Sequence, residues 1–157
     1  MLLQAKSVQQ VASLPYIFVG GEPQVLLITS RERKRWIIPK GWPVKGRPAG
    51  AAAALEAAEE AGVFGIIASE PIGYFDYLKR MPTGYDVPAS AVVYPLLVLE
   101  QRLEWAERKQ RKQRWYTLDE AARRVEDKQL AALIGGLRRD GYGALKALAE
   151  GMVDGAS

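Results

Sequence analysis

The segment from Pro48 to Gly62 reads PAGAAAALEAAEEAG and leaves the backbone little choice. Alanine is the strongest helix former, with Leu and Glu close behind, while Pro suits a first helical turn and Gly the position just past the last one. The segment predicts a helix over residues 48–61 that stops at Gly62. Its flanks carry another pattern. Residues 14–19 and 24–29 are apolar and β-branched runs joined by Gly20-Gly21-Glu22-Pro23, which predicts a hairpin. Trp36-Ile37-Ile38 predicts a third short strand, ended by Pro39. Residues 66–77 and 89–99 predict two longer strands linked through Met81-Pro82-Thr83-Gly84-Tyr85, and residues 113–116 predict one more. Thr117 and Glu120 have capping-box spacing and start a helix over residues 121–125. Leu130, Leu133, Ile134 and Leu137 recur at helical spacing, and residues 142–149 predict a last helix. Strands interrupted by one helix and followed by several imply an α/β protein with a central mixed β-sheet and helices on its faces.

No linker-like stretch or internal repeat divides the 157 residues, so the expected organisation is a single domain over residues 1–157. The stretch 1–19 holds no uninterrupted apolar h-region, and the longest apolar run, residues 91–99, is far short of the roughly 20 needed to span a bilayer. A soluble, cytoplasmic protein with no membrane partner is the expectation.

Two absences narrow the chemistry. The chain has no Cys and no His, which excludes thiolate or imidazole metal sites, a Cys nucleophile and a Ser-His-Asp triad. Any metal must be held by oxygen, which points to hard cations. The net charge is +4, with Arg31, Arg33, Lys34 and Arg35 in one basic cluster, Lys40, Lys45 and Arg47 following, and Arg108, Lys109, Arg111, Lys112 and Arg114 in another. Such clusters suit an acidic ligand or a solvated surface.

Within the helix, Glu59 and Glu60 follow Glu56 by three and four positions, so the three carboxylates project toward one side. Like charges at that spacing repel by a few tenths of a kcal/mol per pair, and the helix holds no Lys or Arg to offset them. A bound cation would. Glu is also an ordinary residue for a solvent-facing helix, so the arrangement alone does not decide between the two. Upstream, Pro39-Lys40-Gly41-Trp42-Pro43 forms a turn set among cations. Carboxylates for a divalent cation beside cations for anionic oxygens are what phosphoryl chemistry requires.

The run from Gly41 to Val63 resembles the signature of the Nudix hydrolases, G-x5-E-x7-R-E-U-x-E-E-x-G-U, with U a bulky aliphatic. Gly41, Glu56, Glu59, Glu60, Gly62 and Val63 fall on its register, and Ala57 takes the first U position. Arg47 replaces the early Glu, and Leu55 replaces the Arg that in this family pairs with a signature Glu and orients it. The flanks, Thr29-Ser30-Arg31, residues 35–43, Pro71-Ile72-Gly73, residues 93–96 and Arg114-Trp115-Tyr116, are similar to the branch that hydrolyses diphosphoinositol polyphosphates and dinucleoside polyphosphates. The likeness covers residues 14–140.

The resemblance implies a Nudix-type α/β/α sandwich and a pyrophosphohydrolase using magnesium or manganese. Glu56, Glu59 and Glu60 would hold the metal, with Glu59 or Glu60 also helping to activate water. Ser30, Arg31, Arg35, Lys40, Gly41 and Lys45 would bind a small phosphorylated substrate. A further acid often serves in this family, and Glu104 and Glu107 are the candidates; Trp42, Tyr77 and Tyr85 are candidates to line the pocket. Two alternatives stay open: an RNA 5′-pyrophosphohydrolase, less favoured because the basic segments lack interleaved aromatics, and a binding module in which the changes at Arg47 and Leu55 have removed turnover. A homodimer is compatible with the sequence, but no residue demands one.

Overall fold

The computed structural model describes residues 8–155; residues 1–7, part of the stretch read for a leader, and residues 156–157 lie outside it. One mixed sheet contains β1 (Val8–Val19), β2 (Glu22–Thr29), β3 (Trp36–Ile37), β4 (Lys40–Gly41), β5 (Val63–Ile67), β6 (Gly73–Arg80), β7 (Asp86–Gln101) and β8 (Gln113–Thr117). The order is β3-β2-β1-β7-β5, with β4 on β1, β6 on β7 and β8 on β2. β1 and β7 run parallel through the centre, and the other pairings are antiparallel.

Alternation along the strands separates two cores. Ala12, Leu14, Tyr16, Val25, Leu27, Ala91 and Val93 face one layer, while Val11, Leu26, Ile28, Tyr94 and Leu96 face the other. Helix α1 (Ala49–Ala61) covers the second face with Ala52, Ala53, Ala57 and Ala61, side chains small enough to let the helix lie close to the sheet. Helices α2 (Leu118–Arg124), α3 (Lys128–Gly136) and α4 (Gly143–Gly155) cover the first with Leu118, Ala121, Leu130, Ile134 and Leu145. The fold is therefore the expected mixed sheet between helical layers. Tyr16, fully buried, donates its hydroxyl to the Leu145 carbonyl at 2.7 Å and ties α4 to the sheet.

The local rules act as expected at the helix ends. Thr117 Oγ1 accepts from the Glu120 amide at 3.3 Å, and α1 ends at Gly62 with φ +68. The stretch 66–77 departs from the single strand predicted for it. It splits into β5 and β6, both lying along β7, because Ser69-Glu70-Pro71 loops out between the Ala68 amide, which reaches Pro95 O at 3.0 Å, and the Ile72 amide, which reaches Val93 O at 2.9 Å. Pro71 has no N–H to continue the ladder. β1 starts earlier than predicted, and the two-residue β4 carries no sequence signal; its pairing of Lys40 with Ala12 and Gly41 with Val11 fixes both residues to the central strand.

Candidate functional site

The site begins where α1 crosses β4. A Cβ at Gly41 would lie under 3.0 Å from Glu56 Cδ and from both Glu56 carboxylate oxygens. Gly41 is thus the floor on which the Glu56 carboxylate rests. One turn later, Glu60 is 4% exposed and accepts a hydrogen bond from the Lys40 amide at 3.3 Å. Glu56 and Glu60 share a side-chain hydrogen bond. Glu59 is exposed. At about 100° per residue, positions 59 and 60 diverge to opposite flanks of position 56, so the helix unites Glu56 with Glu60 and leaves Glu59 outward.

The segment between β7 and β8 closes over the end of α1. Its backbone takes up carbonyls that the helix terminus leaves free: the Arg102 amide donates to Gly62 O at 2.9 Å and the Glu107 amide to Glu59 O at 3.1 Å. The Trp105 indole N–H donates to Glu60 O at 3.3 Å, and its ring occupies the space a Cβ on Gly62 would need. The same segment delivers Arg111, whose side chain is 9% exposed. Its guanidinium reaches Glu60 Oε1 at 3.4 Å, Glu107 Oε1 at 3.0 Å and the Thr29 carbonyl at 3.2 Å.

Burial and the adjacent Glu56 push the Glu60 carboxyl up to about 9, against the opposing pull of Arg111 and Lys40. Glu56 is also raised, by burial first, with the charges of Glu59 and Glu107 adding to it. Without a cation the pair therefore shares a proton. Lys40 is lowered to about 8 by burial, with Glu60 opposing the shift; its ammonium lies 4.9 Å from the Tyr77 ring centroid.

Glu60 and Arg111 line a cleft of about 1150 Å³. Arg31, Arg33, Arg35, Lys79 and Arg80 also line it, together with Lys40, Trp42 and Tyr77. Acids temper this wall. Arg35 Nε is 2.9 Å from Glu126 Oε2, and Asp127 is in the lining. Ser30 shapes the loop that presents the arginines: its Oγ accepts from the Arg35 amide at 3.0 Å and its carbonyl from the Lys34 amide at 3.2 Å.

The sequence-predicted residues thus separate into groups. Ser30, Arg31, Arg35, Lys40 and Glu60 line the cleft, with Gly41 and Glu56 beside it. Lys45 and Arg47 lie exposed in the turn before α1, outside the lining. Glu107 joins the acidic group through Arg111, whereas Glu104 stands at the surface, 2.7 Å from Arg108. Trp42 and Tyr77 line the cleft and Tyr85 does not. Leu55 is half-buried. Arg111, Lys79 and Asp127 are members of the site that no motif marked; the i, i+4 spacing of Glu107 and Arg111 was the one available hint.

The donor set suits a hard divalent cation. Two carboxylates share a proton that a cation would displace, and Gly41 leaves clear the space that the Glu56 carboxylate occupies. Among the described residues no three acidic side chains converge as a ready-made cage, so the pair would leave further coordination positions to water and phosphate oxygens. None of the helices in the described residues is long and apolar enough to cross a membrane.

Compared with known proteins, the chain matches no family model. It is 30% identical over 123 residues to Nudix hydrolase 12, mitochondrial, of Arabidopsis thaliana, covering 76% of this chain and 59% of that protein. It is 30% identical over 126 residues to Nudix hydrolase 17, mitochondrial, of the same plant, covering 76% and 67%. Nudix hydrolase 21, chloroplastic, is 35% identical over 118 residues, covering 72% and 57%. The chain spans little more than half the length of most of these relatives. Among solved structures, a Caenorhabditis elegans Ap4A hydrolase binary complex superposes with a TM-score of 0.60 at 19% identity, over 81% of this chain and 92% of that one. The NUDIX domain of Shewanella oneidensis NrtR complexed with ADP ribose gives 0.62 at 15%, over 87% and 90%. The chain belongs to the Nudix hydrolase family.

Proposed function

We propose that the protein hydrolyses a phosphoanhydride, with magnesium or manganese, in a small substrate of the nucleoside-diphosphate-linked or diphosphoinositol polyphosphate type. The observation that carries this reading is the position of Glu60, bonded to Glu56 and facing a cleft whose wall is rich in Arg and Lys. Glu56 and Glu60 would hold the cation. When bound, it supplies a Lewis acid for the phosphate oxygens and acidifies a water. Arg31, Arg35 and Lys40 bind and orient the phosphates, Arg by gripping two oxygens and Lys as a compact charge. Lys79 and Arg80 extend the same positive wall. Glu107, which shares Arg111 with Glu60, and the exposed Glu59 are the candidate acids to take the proton from the attacking water. Trp42, half-exposed with Lys79 Nζ 5.4 Å from its ring centroid, offers a face at the cleft for the non-phosphate part of the substrate.

The test is phosphate or nucleotide release from diphosphoinositol polyphosphate, diadenosine polyphosphates, ADP-ribose, nucleoside triphosphates and 5′-triphosphate RNA, with and without magnesium. Ap4A and ADP-ribose are the compounds named with the two structural neighbours. Turnover on a small substrate that vanishes with chelator and in Glu60→Gln is expected. Turnover confined to RNA would replace the substrate class, and tight ligand binding with no turnover on any compound would make the protein a binding module.

A further inference from the structure

Helix α1 presents Glu56, Glu59 and Glu60 yet contains no Lys or Arg, and position 55, immediately before the first of these acids, is a half-buried Leu. The hydrogen bond between Glu56 and Glu60 ties the two carboxyl groups to each other but does not by itself set the direction of the almost fully buried Glu60. Within the helix no cation does. The cation that touches Glu60 arrives from the segment between β7 and β8.

We propose that Arg111 is the positioning residue of this site, holding Glu60 and Glu107 in a preset arrangement, each on its own nitrogen of the guanidinium. The proposal rests on the hydrolase reading above and concerns how that site is built. Each guanidinium nitrogen has its own acceptor: Nε faces Glu107 Oε1 at 3.0 Å, Nη1 the Thr29 carbonyl at 3.2 Å and Nη2 Glu60 Oε1 at 3.4 Å. The planar fork makes the direction of one acid depend on that of the other. The backbone is fixed as well. The Lys112 amide donates to Thr29 Oγ1 at 2.9 Å and the Thr29 amide to Lys112 O at 3.0 Å, so the neighbouring residue is pinned to the end of β2. A surface charge would not be 9% exposed with three acceptors from three different segments.

Charge and position predict opposite signs. If Arg111 acted only as a positive charge beside the acids, its removal would tighten cation binding, because a repulsion would be gone. If it directs Glu60, removal frees that carboxylate and cation binding weakens. Groups that orient metal ligands commonly contribute about 10-fold to 100-fold in affinity or activity.

The experiment uses the full chain and Mn²⁺ as the probe, with Mn²⁺ affinity read by electron paramagnetic resonance and kcat and KM read on the best substrate of the panel. Arg111→Ala should weaken Mn²⁺ binding about tenfold or more and lower kcat while leaving KM within about threefold. Arg111→Lys keeps the charge but not the fork, and should resemble the alanine variant. Unchanged or tighter Mn²⁺ binding would overturn the proposal. So would a rise in KM at constant kcat, which would make Arg111 a substrate binder, or full function in the lysine variant. If alanine fails to fold, the lysine variant carries the same readings, and failure of both to fold would assign Arg111 to the scaffold and overturn the proposal. A parent protein that binds Mn²⁺ but hydrolyses nothing would refute the hydrolase reading alone, since the Mn²⁺ measurement still decides the role of Arg111. A parent that binds no Mn²⁺ would overturn both.

Discussion

The Glu56 carboxylate lies against the Cα of Gly41, in the space that any side chain at position 41 would claim. Gly41 does not have the positive φ that demands glycine for backbone reasons. Its small size serves the acid above it. Gly41→Ala should therefore leave the melting temperature within about 3 °C, since the displaced group is the free end of a flexible side chain. It should weaken Mn²⁺ binding and turnover by about tenfold or more. Calorimetry together with a kinetic assay checks both halves, and a large loss of stability with unchanged metal binding would contradict the role given to Gly41.

Glu60 is held up to about 9 in the folded chain against an ordinary 4.5. Between those values the native state keeps a proton that the unfolded chain has released. The stabilising contribution is fully present below 4.5 and is lost as pH rises through about 9. Glu60→Gln removes this titration. In chelator its melting temperature should exceed that of the parent increasingly as pH is raised, and the two should converge in acid. Cation binding to the parent should release a proton near neutral pH, measurable by calorimetry in two buffers of different ionisation enthalpy.

Lys40, lowered to about 8 by burial, loses its charge within the range where most assays are run. Sulfate, whose own charge stays constant there, should bind about tenfold more weakly on the alkaline side of that value than on the acid side, as expected for loss of one charge-assisted hydrogen bond. Lys40→Arg keeps its charge and should flatten the profile. An identical profile in that variant would remove Lys40 from the phosphate-binding wall.

Gly62 meets two constraints at once, φ +68 and the Trp105 ring 2.5 Å from where a Cβ would stand. Gly62→Ala should destabilise the fold by about 1–2 kcal/mol from backbone strain alone, and further by lifting Trp105. In a Trp105→Ala background the cost of Gly62→Ala should shrink to the strain component, a coupling that a double-mutant cycle in urea reads directly. Additive effects would mean that the indole moves aside freely.

What the sequence disclosed follows from where the physics is local. The Ala-rich helix, its Gly62 stop and the Thr117 cap depend on neighbouring residues, and all are present in the structure. Glu56 and Glu60 were legible as a pair because the helix repeat places them together, whereas Gly41 entered only through the likeness to the Nudix signature. Glu59 was harder, since spacings of three and four fall on opposite sides of a common residue. The interruption at residues 69–71 depends on the partner strand β7, and β4 exists only because β1 lies beside it. Arg111 was invisible as a site residue for the same reason. Its one local hint, Glu107 four positions back, has a counterpart in Glu104 before Arg108, and only the closure over α1 turns one arginine of the basic cluster inward.

β7 is the shared neighbour of β1, β5 and β6, pairing with the first along one edge and with the other two in succession along its opposite edge. During synthesis these three strands and α1 emerge before their common partner is complete. The apolar faces of β1 and α1 then wait for a strand made much later, and the acids of α1 wait longer still for Arg111. Folding of this chain is governed by distant rather than local pairings, which slows assembly and exposes unpaired edges in the interval. A ribosome-bound chain halted before Gln101 would carry every Glu of the signature and lack the arginine that meets Glu60.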